Sequence, residues 1–106
     1  MSEARETKRV EFKTRPDLVL HVRALNSLEA IQLHSALSKL EQSHELVAEQ
    51  LVALVCNQDG TPKFADRAAA IEFMKSERPG VVTKLVKSGT AFNELNDEAI
   101  EEELKN

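Results

Sequence analysis

A chain of 106 residues with 42% apolar side chains is sized for one domain with a core, and is too apolar to be wholly disordered. A net charge of −4 excludes the strongly cationic surface on which phosphate contact depends, so nucleic acid is not an expected partner. A single cysteine, Cys56, excludes an intrachain disulfide.

The charge is unevenly spread. Residues 1–26 carry six basic and four acidic side chains, whereas the stretch from Glu94 onward carries six acids and one lysine. The N-terminus is charged and lacks the apolar block of a signal peptide, and no apolar run reaches membrane-spanning length. A cytoplasmic setting is the expectation. Aromatics are limited to four phenylalanines, so aliphatic side chains must fill most of the core.

Residues 1–9 hold little apolar content and read as a flexible N-terminal segment, which leaves 10–106 as the single domain. Val10 and Phe12 alternate with Glu11 and Lys13, the period of a half-buried strand. Leu18, Leu20 and Val22 repeat that period, and Arg15-Pro16-Asp17 supplies turn chemistry between the two runs. The reading is an N-terminal antiparallel β-hairpin. A hairpin is marginal alone, so helices must cover its apolar face.

Those helices follow. Asn26-Ser27-Leu28-Glu29 has the form of a capping box, with Asn26 as N-cap and Glu29 at N3. The stretch from Asn26 to Asn57 contains no proline or glycine, and its apolar residues recur at three- and four-residue steps. It predicts one helix near 27–42 and a second near 44–57, with Ser43 as the second cap. Leu46, Val47, Leu51, Leu54 and Val55 form the apolar face of the second, with Cys56 as a buried thiol in the same run.

Asp59-Gly60 predicts a tight turn with a positive-φ glycine, and Phe64 an apolar peg returning the loop to the body. Asp66 is the expected N-cap of a helix over Arg67–Lys75. Ser76–Gly80 breaks it, and Pro79 opens a helix reaching about Leu95. Gly89 within that helix marks either close packing or a local break. Asn96-Asp97 caps a last short helix over Glu98–Leu104. The fold class is therefore mainly α with a small N-terminal antiparallel β-hairpin (α+β), a helical domain of four to five helices.

No catalytic, metal or cofactor constellation accompanies this pattern. His21, His34 and His44 lie far apart, without a second histidine or a cysteine at ligand spacing. No Gly-x-Ser-x-Gly elbow is present, and three dispersed glycines cannot cradle a phosphate. Glu98, Glu101, Glu102 and Glu103 read as solvated carboxylates. No enzyme, no cofactor and no small-molecule substrate are expected. What remains is binding, either at a strand edge or in an apolar groove between helices.

The order of the pieces resembles the tail assembly chaperones of long-tailed bacteriophages and prophages. The matching stretches are the hairpin leading into Val22-Arg23-Ala24-Leu25, the helical pair ending at Leu51–Asn57, and Asp59-Gly60-Thr61-Pro62-Lys63-Phe64. Leu85–Leu95 and the acidic close Asn96–Asn106 complete them. The resemblance covers nearly all the chain after residue 9 and involves no invariant chemical motif. It implies a non-enzymatic chaperone that covers the hydrophobic, helical tape-measure protein and helps recruit the tail tube protein. It also implies the short, non-frameshifted form, a possible homo-oligomer, action in the bacterial host cytoplasm, and absence from the mature virion. Leu51, Leu54, Phe92 and Leu95 are the candidate protein-binding residues. A head-tail connector or tail terminator component, and a small interaction domain unrelated to phage, are the competing readings.

Overall fold

The computed structural model describes residues 6–94. Their order is β1 (Thr7–Phe12), β2 (Arg15–Arg23), α1 (Ser27–Ser38), α2 (Ser43–Leu54), β3 (Val55–Cys56), α3 (Arg67–Ser76) and α4 (Pro79–Phe92). The fold is mainly α with a small antiparallel β element.

The hairpin forms with the alternation its sequence carries. Val10 pairs with Leu20, and Val10, Phe12, Leu20 and Val22 are all buried on the face turned to the helices. Two boundaries differ from expectation. First, β1 starts at Thr7, where Thr7, Lys8 and Arg9 pair with Arg23, Val22 and His21. These residues, assigned from composition to a flexible lead-in, are held by the ladder although two of the three are charged. Second, the turn is at Lys13-Thr14, and Arg15-Pro16-Asp17 lies within β2. Phe12 faces Arg15 whereas Glu11 faces Val19, so the extra residues of β2 bulge out between those pairs. A bulge is where proline, which lacks an N–H, disturbs a sheet least.

A third strand extends the hairpin to the order β1-β2-β3. Val55 and Cys56, expected to close the second helix, pair antiparallel with Val22 and His21. The chain straightens directly after Leu54, while the Val55 N–H still donates to the Leu51 carbonyl. β-branched Val55 suits that change. Cys56 is buried as expected, on a strand and not on a helix.

Helix α1 starts at the predicted capping box, with Asn26 Oδ1 accepting from the Glu29 N–H at 2.8 Å and Glu29 Oε1 from the Asn26 N–H at 3.0 Å. The break between α1 and α2 is present. Gln42, not Ser43, is the N-cap of α2, and its side chain makes no capping bond. Asp66 caps α3 by accepting from the Ala69 N–H at 2.9 Å, and Pro79 opens α4. α4 ends at Phe92, short of the predicted Leu95. The last predicted helix, Glu98–Leu104, lies outside the described residues.

Helix α2 is the element around which the others gather, since it packs against α1, α3 and α4 and runs into the sheet through β3. Ala48 and Leu51 from α2 join Val10, Phe12, Leu20, Val22, Val55, Phe64, Ala70, Val81 and Leu85 in one core. Phe64 reaches this core as a peg and meets Phe73 with ring centroids 5.1 Å apart, inside the range of favourable aromatic pairs.

Candidate protein-interaction surface

Among the described residues, no three His, Cys, Asp or Glu side chains are grouped to hold a metal. No described helix is long and apolar enough to cross a membrane. His34 and His44 are exposed at separate places, and His21 is half-buried on β2. The loop carboxylate Asp59 accepts from the Thr61 hydroxyl at 2.6 Å and from the Thr61 N–H at 3.0 Å, which holds its pKa below the usual 3.8. These bonds close the turn at Gly60, whose φ of 90° is one that glycine adopts without strain.

The four leucine and phenylalanine positions expected to bind a partner do not form one surface. Leu51 and Leu54 are both 0% exposed, because α2 is enclosed by α1, α3, α4 and β3. They hold the domain together and are withdrawn from the candidate surface. Phe92 is half-buried and packs against the core. Leu95 lies outside the described residues.

The uncovered apolar side chains are elsewhere. Leu28 and Ile31 on α1 are 62% and 65% exposed. At about 100° per residue they lie roughly opposite Leu33 and Leu37, the residues that α1 turns inward. Leu33 is buried and Leu37 half-buried. α1 therefore carries apolar residues on two sides, and only one of them is used by the fold.

Beside α1 runs a cleft of about 440 Å³ between α1, α2 and the Pro62–Ala65 segment. Leu33, Ala36, Val52, Ala53 and Phe64 give it an apolar floor, and Arg23, Glu29, Gln32 and Glu49 give it a polar rim. The rim is fixed by specific bonds. Arg23 Nε donates to the Ala53 carbonyl at 2.8 Å, Glu29 completes the α1 cap, and Glu49 pairs with Arg67 at 3.4 Å. An apolar trough with a charged rim suits an apolar side chain of a partner better than a small polar molecule. The exposed Leu28/Ile31 pair forms a separate apolar face on the other side of α1.

Leu28 and Ile31 were visible in the sequence only as apolar residues at the start of the first helix. Their signal was position around the helix: residues 28 and 31 fall off the stripe drawn by 33, 37 and 40. Comparison with family models, with curated proteins and with solved structures finds no match for this chain.

Proposed function

We propose that the protein is a non-enzymatic tail assembly chaperone of the phage type, which binds the tape-measure protein and assists assembly of the tail tube. The observation that carries the reading is the exposed Leu28/Ile31 pair on α1, an apolar face that the fold leaves uncovered. A tape-measure helix presents apolar stripes that aggregate in water, and covering them removes that driving force. Leu28 and Ile31 meet the stripe, and exposed Ser27, Gln32 and Ser35 beside them on α1 keep the edge of the complex hydrated.

The order of elements supports the same reading, since the hairpin, the helical pair and the Asp59-Gly60 turn follow one another as in the chaperones it resembles. The protein then acts in the bacterial host cytoplasm and leaves before the virion is complete. Tail tube protein displaces it by competing for the covered stripes.

The test is co-expression with the tape-measure protein of the same tail gene cluster. Soluble tape-measure protein should rise and co-purify with the chaperone, and purified particles should lack it. Unchanged solubility with no co-purification would end the proposal, and recovery of the chain from purified tails would favour a structural tail component instead.

A further inference from the structure

Strand β1 lies at one end of the sheet order. Ala24 N–H donates to the Glu6 carbonyl at 2.8 Å, which fixes the alternation of the ladder. The pairs Lys8 with Val22 and Val10 with Leu20 exchange bonds with β2, and the N–H and C=O groups of Thr7, Arg9 and Glu11 turn the other way. A channel of about 360 Å³ runs beside that outer edge, lined by Lys8, Arg9, Val10, Glu11, Lys84 and Ser88.

We propose that this edge is a self-association site, where two copies pair their β1 strands antiparallel about Val10 and join two three-stranded sheets into one of six strands. Charge selects both the occupant and the register. Arg9 and Glu11 project from the exposed face of the sheet, with side chains 61% and 68% exposed, and pair with each other at 2.9 Å within the strand. A second copy in this register extends that pair into a square of alternating charges. In an antiparallel pair centred on Val10, Arg9 of each copy stands opposite Glu11 of the other, twice by symmetry. The same register makes Arg9 and Glu11 exchange backbone bonds, and it sets Lys13 against Thr7. Moving the centre to Arg9 opposes two arginines, and moving it to Glu11 opposes two glutamates and sets Arg9 against Lys13. Of these three registers, the Val10-centred one alone is free of opposed like charges.

Charged residues on an outer strand commonly prevent pairing. Here Arg9 and Glu11 leave the edge itself open, because they stand perpendicular to the sheet. Lys84 does reach the edge and donates to the Glu11 carbonyl. A carbonyl oxygen accepts two bonds, so that contact and a strand bond are compatible.

The test is sedimentation of the full chain and its variants from micromolar to millimolar concentration, with circular dichroism as the check on folding. The native chain should associate to a dimer. Arg9→Glu and Glu11→Arg should each weaken self-association roughly tenfold, since each opposes like charges at both symmetric contacts. An equimolar mixture of the two variants should recover a heterodimer, because every opposed pair is then complementary. Arg9→Pro removes an outward N–H without touching the ladder to β2, and should give a folded monomer. A native chain that stays monomeric throughout, a mixture no more associated than its components, or a dimer that survives Arg9→Pro would each overturn the proposal. The last outcome would assign the contact to another face, such as α1.

Discussion

Gly89 of α4 lies so close to Leu54 of α2 that a β-carbon added to the glycine would stand 2.9 Å from Leu54 Cβ and 3.0 Å from its Cδ1. Of the two sequence readings of Gly89, close packing is therefore the correct one. Leu54 Cβ is tied directly to the α2 backbone, so it cannot swing aside as the tip of a side chain does. Substituting Gly89→Ala gains about 1 kcal/mol of helix propensity and forces two packed helices apart, an overpacking cost of about 1–3 kcal/mol. The variant should be less stable than the native protein, measured by denaturant unfolding. In a Leu54→Ala background the Cγ and Cδ1 contacts are gone while the Cβ contact stays, so Gly89→Ala should cost less than it does in the native chain without becoming stabilising. Equal effects in both backgrounds would remove the contact as the reason for the glycine.

Asn93, at the C-cap of α4, ties that helix to the connection between β2 and α1. Its Oδ1 accepts from the Leu25 N–H at 2.6 Å, and its Nδ2 donates to the carbonyls of Arg23 and Gly89, each at 2.9 Å. One amide side chain thus serves three backbone groups from two distant parts of the chain, which requires both a donor and an acceptor. Asn93→Ala should cost about 1–3 kcal/mol, because it strips partners from half-buried backbone. Asn93→Asp keeps the acceptor and places a carboxylate against two carbonyl oxygens, so it should not rescue the loss. Faster hydrogen exchange at the Leu25 amide in both variants is the local readout.

The parts of this fold that were legible in the sequence are those set by a few neighbouring residues. Asn26 with Glu29, Asp66, Pro79 and the Asp59-Gly60 turn each act through backbone within four residues, and each is found in its predicted role. Val55-Cys56 was not legible as a strand, because pairing with His21 and Val22 depends on a partner more than thirty residues away. The hairpin turn was misplaced because Arg15-Pro16-Asp17 carries strong turn chemistry that the bulge absorbs instead. The binding surface failed for a related reason. Leu28 and Leu54 look alike at helical spacing, and only the enclosure of α2 by three helices buries one while the other stays outside. Local chemistry determined the caps, whereas tertiary packing determined which leucines a partner can reach.

The Asp59 loop gives a pH signature. Its carboxyl pKa is lowered from 3.8 by the Thr61 hydroxyl first and the Thr61 N–H second. A depressed folded-state pKa means that ionised Asp59 favours the closed loop. That contribution is fully present above the ordinary carboxylate pKa and is lost as pH falls through the lower folded value. Following the Thr61 amide shift by NMR during acid titration should give a midpoint below 3.8 for the native protein. Asp59→Asn should abolish that step while leaving the rest of the acid titration in place. A midpoint at or above the ordinary value would contradict the bond geometry at this turn.

The chaperone reading predicts that stability and binding separate between two sets of leucines. Leu51 is fully enclosed, so Leu51→Ala should destabilise the protein by about 2–5 kcal/mol, and any loss of partner would follow from loss of fold. Leu28 and Ile31 contribute little to the core, so the double variant Leu28→Ser/Ile31→Ser should unfold within about 0.5 kcal/mol per site of the native protein. Covering these two side chains with a partner helix removes apolar surface worth about 1–2 kcal/mol each, given how much of each is exposed at the outset. The folded double variant should therefore bind a tape-measure helix at least about tenfold more weakly by calorimetry. The heat-capacity change on binding should also be less negative, since less apolar area is buried. A double variant that retains native affinity would move the contact off α1, and the cleft floored by Val52 and Phe64 would then have to account for binding without it.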